Sequence, residues 1–291
     1  MPQAFRAIRA TRDRREASNW ALVLASTGIS SRVQRSEQGW WLVVAEDQVE
    51  AALEQIESYE HENPPAPPKP PPIPAYGRSY AGLLLGIALL LFFGISGDRS
   101  SEIAWFASGA ADARAILNGE WWRAITALTL HADLPHVFAN ALSSLVFVSL
   151  VCYLLGPGCG GWLILGAGVA GNALNAWLRG AGHVSVGAST ALFGAIGILC
   201  GLQATRRWRL RGARGGAWLP IAAGLALLAM LGTAGERTDV SAHLLGLVCG
   251  IPLGALAAIG LKGPPSLPLQ WAGIAGLILF LAGAWVWALH V

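Results

Sequence analysis

Ser189, His243, His136 and Asn140 are the side chains in this sequence whose types and spacing could do chemistry. Ser189 lies in Gly187-Ala-Ser-Thr-Ala-Leu-Phe-Gly194, His243 in Ala242-His-Leu-Leu-Gly246, and His136 and Asn140 open a third apolar run. A hydroxyl can attack a carbonyl, an imidazole can take its proton, and amide and ring N–H groups can stabilise the oxyanion that forms. All four sit among residues suited to hydrocarbon, where polar groups are costly and mark functional sites. Singly, each has a plainer reading. A serine in a transmembrane helix bonds the backbone one turn back, an asparagine holds two helices together, and a lone buried histidine is as readily structural as functional. Their joint placement carries the weight.

Positioning such groups requires membrane helices, and the composition supplies them. The 291-residue chain is 54% hydrophobic and only 13% charged, where a soluble domain carries about 25%. From Tyr80 onward, apolar stretches long enough to cross a bilayer lie near 79–97, 135–155, 160–179, 186–204, 216–233, 240–260 and 267–289. The segment between the first two is long and semi-polar. Its Trp105-Phe106 and Glu120-Trp-Trp-Arg123 fit an interfacial helical loop at headgroup level. A net charge of +3 is too small to imply nucleic acid. Cys152, Cys159, Cys200 and Cys249 lie in or beside apolar runs without paired or CxxC spacing. They read as small apolar fillers, with no disulfide, metal or cofactor implied.

Ahead of the spans, residues 1–62 read as a small α+β soluble domain. Ser31-Arg-Val-Gln34 and Trp40-Trp-Leu-Val-Val44 form two strands around the Glu37-Gln-Gly39 turn. Asp47–Tyr59 has helical spacing with Asp47 as N-cap, and Trp20–Ala25 is an earlier strand or helix. The basic N-terminus (Arg6, Arg9, Arg12, Arg14, Arg15) lacks a following apolar run, which argues against a secretory signal, and Asp13 and Glu16 interrupt any organellar presequence. Residues 63–78 form a Pro-rich linker in which 64–74 hold half of the 16 prolines, a stiff polyproline II spacer rather than an SH3-type ligand.

Basic residues set the orientation. Lys69 and Arg78 precede the first span, Arg206, Arg207, Arg209, Arg211 and Arg214 follow the fourth, and Lys262 follows the sixth; Arg179 and Arg237 are the sparse examples opposite. The N-terminus is therefore expected in the cytoplasm. The second, fourth and sixth spans then start at the outer face. At about 1.5 Å per residue, His136, Asn140, Ser189 and His243 all fall within about 8 Å of that face. His136 and Asn140 share a helix face. Gly246, Gly250 and Gly254 recur on the face bearing His243, and the fourth span is rich in Gly187, Ala188, Ala191, Gly194, Gly197 and Gly201. Small residues at such spacing let helices approach closely, which would bring Ser189 within reach of His243.

The ordered set His131-Ala-Asp-Leu-Pro-His136-Val-Phe-Ala-Asn140, Gly187-Ala-Ser189 and Ala242-His243-Leu-Leu-Gly246 resembles the rhomboid intramembrane serine proteases. Glu120 and Trp122-Arg123 match that family's outer-loop motif. The resemblance implies an all-α polytopic membrane protein with a six-helix core over residues 79–260 and a seventh transmembrane helix in 261–291. It implies a Ser189–His243 dyad near the outer face, an oxyanion hole of Asn140, His136 and the Ser189 N–H, and no cofactor or metal. Glu120, Trp122 and Arg123 would hold the outer loop in shape, and His131 would support the site from a loop. The partners implied are transmembrane segments of other membrane proteins, within a bacterial inner membrane. No carboxylate is placed to orient His243, hence a dyad rather than a triad.

Three positions depart from the family pattern. Thr190 follows the serine where most members have Gly, and its branched side chain would crowd or reshape the oxyanion pocket. Phe193 replaces an aromatic that is often Tyr, keeping the ring that stacks on the histidine. Cys152, twelve after Asn140, stands where many relatives have Glu. The rival reading is a catalytically inactive rhomboid-like protein that binds transmembrane helices. A transporter is disfavoured because its polar site would lie near the bilayer centre.

Overall fold

The computed structural model describes residues 4–37, 39–64, 75–99, 104–211, 216–231 and 239–291. Most of the Pro-rich spacer (65–74), Gln38 of the predicted turn and Lys69, Arg214 and Arg237 of the charge argument lie outside the described residues. The chain divides into two units, Met1–Pro70 and Pro71–Val291.

The first unit is α+β: β1 (Phe5–Thr11), α1 (Arg14–Ser26), β2 (Ser31–Ser36), β3 (Gly39–Ala45) and α2 (Val49–Glu62). Its sheet is antiparallel in the order β1-β3-β2. Alternation along β3 turns Leu42 and Val44 toward α1 and α2, where Ala17, Trp20, Leu24, Ala52 and Ile56 complete a small core. Asp13 starts α1 by accepting the Arg15 N–H at 2.8 Å. One element was not foreseen and one expectation needs correction. The Arg-rich start is an edge strand, because pairing with β3 outweighs its weak local pattern. Asp47 is not a helix cap: it sits in a 3-10 turn, Glu46–Gln48, and Gln48 holds the cap position.

The second unit is a helical bundle. Its long helices are α3 (Ala81–Ser96), α7 (Leu134–Leu155), α8 (Pro157–Arg179), α9 (Ser189–Arg211), α10 (Leu219–Leu231), α11 (Val240–Gly260) and α12 (Leu267–His290). Between α3 and α7 run the short α4 (Ala104–Gly109), β4 (Ala111–Asp112), α5 (Ala113–Leu117) and α6 (Arg123–Thr126), and β5 (Val184–Ser185) precedes α9. Among the described residues, α7, α11 and α12 are both long and apolar enough to cross a membrane; α3 and α10 are apolar but shorter.

Helix α9 runs through the middle, against α7, α8, α10 and α11. Its seam with α11 is the tightest. A Cβ on Gly246, Gly250 or Gly254 would strike the backbone carbonyls of Thr190, Gly194 and Ile198, and Gly197 and Gly201 meet those of Leu247 and Ile251 in return. Small residues on both faces thus allow backbone-to-backbone approach. Helix α12 is tied down at both ends. Gln270 Oε1 accepts the N–H groups of Gly158 and Cys159 at 2.7 and 3.0 Å, while its Nε2 donates to Leu155 O at 2.9 Å. Trp285 packs onto Gly109, stacks edge-on with Trp105 and donates to Thr129 Oγ1 at 3.1 Å.

Candidate active site

Three helices begin at one end of the bundle, and each beginning fixes one polar group. Asp133 caps α7: its Oδ1 accepts the His136 N–H at 2.8 Å, and Pro135 occupies the first turn. His136 and Asn140 follow one turn apart. Helix α9 begins at Ser189, so the Ser189 N–H is among those left without an intrahelical partner. Helix α11 begins after Asp239, which places His243 in its first turns with its N–H bonded to Asp239 O at 3.2 Å.

The approach to Ser189 is held from the loop side. Gly187 has φ +127°, a region that strains any residue with a Cβ. A Cβ there would also lie 2.6 and 2.7 Å from the His136 ring and 3.4 Å from Ser189 Oγ, so glycine is required and His136 lies close to the serine. The Gly187 N–H donates to Ala127 O at 2.9 Å, and β4–β5 pairing ties the same strand to the loop. His131 Nε2 accepts the Ala188 N–H through a long 3.4 Å bond. Burial, followed by the adjacent His136 ring, pushes His131 down to about 3. It is therefore neutral, with the proton on Nδ1.

His136, Asn140, Ser189 and His243 line one cavity of about 1460 Å³. The four sequence-predicted groups thus come together. Phe193 also lines it, its ring stacked on His243 with centroids 4.6 Å apart and planes at 28°. Asn140 is 5% exposed, and its Nδ2 has no hydrogen-bond partner among the described residues. Asn140 borders the cavity, and a buried donor without a partner is the kind of group that an oxygen brought by something else would satisfy. Phe147 and Ile196, two turns on from Asn140 and Ser189, and Leu231 at the end of α10 give the wall an apolar part.

Thr190 does not narrow this cavity. Its methyl fills the junction of α8 and α11, beside Gly171 and Gly246, so the extra side chain occupies space that glycines on two neighbours leave open. Cys152 is buried in the bundle core, where Gly160 packs on its sulfur. Glu120, Trp122 and Arg123 stand away from the cavity. The Arg123 guanidinium bonds Glu120 at 2.6 Å and the carbonyls of Ala107 and Ala110 at 2.8 and 3.2 Å, and Trp122 is buried under the loop.

Sequence reasoning passes over Asn175 and Asp239, and reads His183 only as an interfacial residue at the end of a span. Asp239 Oδ2 accepts Asn175 Nδ2 at 2.8 Å and His183 Nε2 at 2.7 Å. Burial alone would raise this carboxyl, but bonds from Ser241, Ala242, His183 and Ser185 outweigh it and hold the group well below the usual carboxylate range. An Asp directly ahead of an apolar run, four before His243, was the available signal; nothing in sequence pairs it with His183.

A polar catalytic-type cluster at the shared end of a glycine-packed helical bundle defines a recognisable class. Residues 118–259 match the family model described as the Rhomboid domain, and this chain belongs to the rhomboid family. It is an integral membrane protein, as the family and its apolar helices require. YdcA of Bacillus subtilis is 28% identical over 174 residues, which cover 60% of this chain and 85% of that protein. The Rhomboid protease GluP of the same organism is 28% identical over 214 residues, 73% of this chain but 41% of its own. Rhomboid-like protease 1 of Toxoplasma gondii is 32% identical over 169 residues, 57% of each chain.

Proposed function

We propose that this protein is an intramembrane serine endopeptidase that cleaves transmembrane segments of other membrane proteins by a Ser189–His243 dyad. Ser189 Oγ attacks the peptide carbonyl as His243 takes its proton. Asn140 Nδ2, His136 and the Ser189 N–H receive the oxyanion, each such donor being worth about 3 kcal/mol in the transition state. Collapse breaks the C–N bond, and His243 returns the proton to the departing amine. A water molecule, deprotonated by His243, then attacks the ester; the C–Oγ bond breaks as His243 returns that proton to Ser189 Oγ, leaving a free carboxyl group.

The observation that carries this reading is that Ser189, His243, His136 and Asn140, from three helices, border one cavity, with the Asn140 amide unspent. Related proteins named rhomboid proteases support it. The site would lie just under the outer face of a bacterial inner membrane, with the N-terminal unit in the cytoplasm, so water reaches the dyad from outside. A substrate helix must unwind locally to expose its peptide bond. Cleavage near Gly or other small residues is therefore expected. The test is release of a soluble fragment from a single-span reporter with such a segment, in cells making wild type, Ser189→Ala or His243→Ala. Release is expected only with wild type. Unchanged cellular function in Ser189→Ala would favour a protein that binds helices without cutting.

A further inference from the structure

In a catalytic triad a carboxylate fixes the imidazole of the base by bonding its ring. Four residues before His243, a carboxylate sits at the rim of the same cavity with both oxygens engaged. Asp239 Oδ1 accepts the Ser241 hydroxyl at 2.7 Å and the Ala242 N–H at 3.0 Å. Oδ2 accepts Asn175 Nδ2 and His183 Nε2 at 2.8 and 2.7 Å. An ionised carboxylate only accepts, so His183 must present Nε2–H to it. The 3.2 Å approach of Asn175 Nδ2 to His183 Nε2 is then two donors converging on one oxygen.

We infer that Asp239, clamped by His183 and Asn175, positions His243 through the first turn of α11, acting through the backbone where a triad carboxylate would act on the ring. Asp239 and Asn175 lie 64 positions apart, and His183 and Asp239 lie 56 apart, so the clamp joins the end of α8 and the strand before Ser189 to the start of α11. It extends further. The His183 carbonyl accepts the Ala113 N–H at 2.9 Å, and Ala111 and Asp112 of β4 pair with Ser185 and Val184 of β5. The loop that Glu120 and Arg123 stiffen thus reaches His243 by way of Asp239. On the other side it reaches Ser189 by way of the Gly187–Ala127 bond.

The geometry explains why this matters for rate. Asp239 O accepts the His243 N–H, so a rotation of this turn turns the ring with it. With the imidazole about 6 Å from the helix axis, about 10° of rotation moves it about 1 Å, and a misplacement of about 1 Å at a reacting group can reduce rate about 100-fold. The glycine seam of α9 and α11 begins only at Gly246, one turn further on. The turn before His243 thus lies past the end of the seam, where the clamp bonds it.

The inference rests on the proposed Ser189–His243 chemistry, and its test keeps the two apart. Full-length wild type, Ser189→Ala, Asp239→Asn, His183→Ala and His183→Gln are assayed in liposomes with a fluorescent transmembrane reporter, alongside thermal unfolding and the rate of Ser189 labelling by a fluorophosphonate. Asp239→Asn and His183→Ala are expected to lower kcat and the labelling rate by about 10- to 100-fold with KM within about twofold. His183→Gln, which can still present an N–H near the Nε2 position, is expected to recover kcat to within about threefold of wild type. Wild-type kcat and labelling in His183→Ala, with Ser189→Ala inactive, would overturn the clamp alone. So would loss of thermal stability in His183→Ala with kcat unchanged, the mark of a merely structural role. Reporter cleavage that persists in Ser189→Ala would overturn both readings. If Asp239→Asn does not fold, the two His183 variants decide the matter.

Discussion

Two regions on either side of His243 hold helix α11 in different ways. Toward the far end of α11, Gly246, Gly250 and Gly254 meet carbonyls of α9 with no side chain between them. Toward the near end, Asp239 meets Asn175, His183, Ser241 and Ala242 through hydrogen bonds. The seam gains close packing and sets the distance between the helices that carry Ser189 and His243. The polar end sets direction. A seam tolerates no added atoms but is indifferent to pH, whereas the polar end has room yet depends on protonation.

The largest effect should come from adding atoms to the seam. In Gly250→Leu the new side chain must displace the Gly194 carbonyl, which α9 cannot yield without moving Ser189. Overpacking of this kind costs about 1–3 kcal/mol or more, and here the whole bundle interface would open. Thermal unfolding in detergent should fall sharply and activity should be lost. Leu256→Ile, on the exposed side of the same helix, should leave both near wild type. A fully active, stable Gly250→Leu would mean that the seam does not set the dyad distance.

A smaller effect, confined to the polar end, should follow pH. His131 is fully buried, and its value of about 3 lies below the ordinary histidine range near 6.5. The folded state keeps it neutral while the unfolded state binds a proton. Stability from this group is therefore complete above about pH 6.5 and is lost as pH falls toward 3, at about 1.4 kcal/mol per pH unit. Asp239, whose folded value is also depressed, adds loss in the same direction only below the ordinary carboxylate range. Unfolding temperature measured from pH 7.5 to 5 should decline, and His131→Asn should flatten that decline. An identical slope in the variant would remove His131 from the account of the polar end.

Much of this arrangement is legible in the sequence. Hydropathy located the apolar helices because a bilayer-length run is a local property, and the glycine spacing on 246–254 announced a close approach because helical period converts sequence into a face. The four-residue step from His136 to Asn140 did likewise. What could not be read is what depends on distant partners. Strand β1 hides in an Arg-rich segment because β3, not its own pattern, makes it a strand. Thr190 looked like an obstruction because sequence does not say which way a side chain on α9 turns; the gaps at Gly171 and Gly246 take it in. Gln270 reaches back 112 positions to Gly158, and the His183–Asp239 pair spans 56. Hydrogen bonds of that range leave no periodic trace.

The central claim is that His243 activates Ser189 as a nucleophile, and the rate of covalent fluorophosphonate capture in native membranes reads that activation without any substrate. Wild type should label at Ser189, Ser189→Ala should not label, and His243→Ala should label at least about 100-fold more slowly, as expected when a general base is removed. Equal labelling rates in wild type and His243→Ala, or label retained in Ser189→Ala, would contradict it.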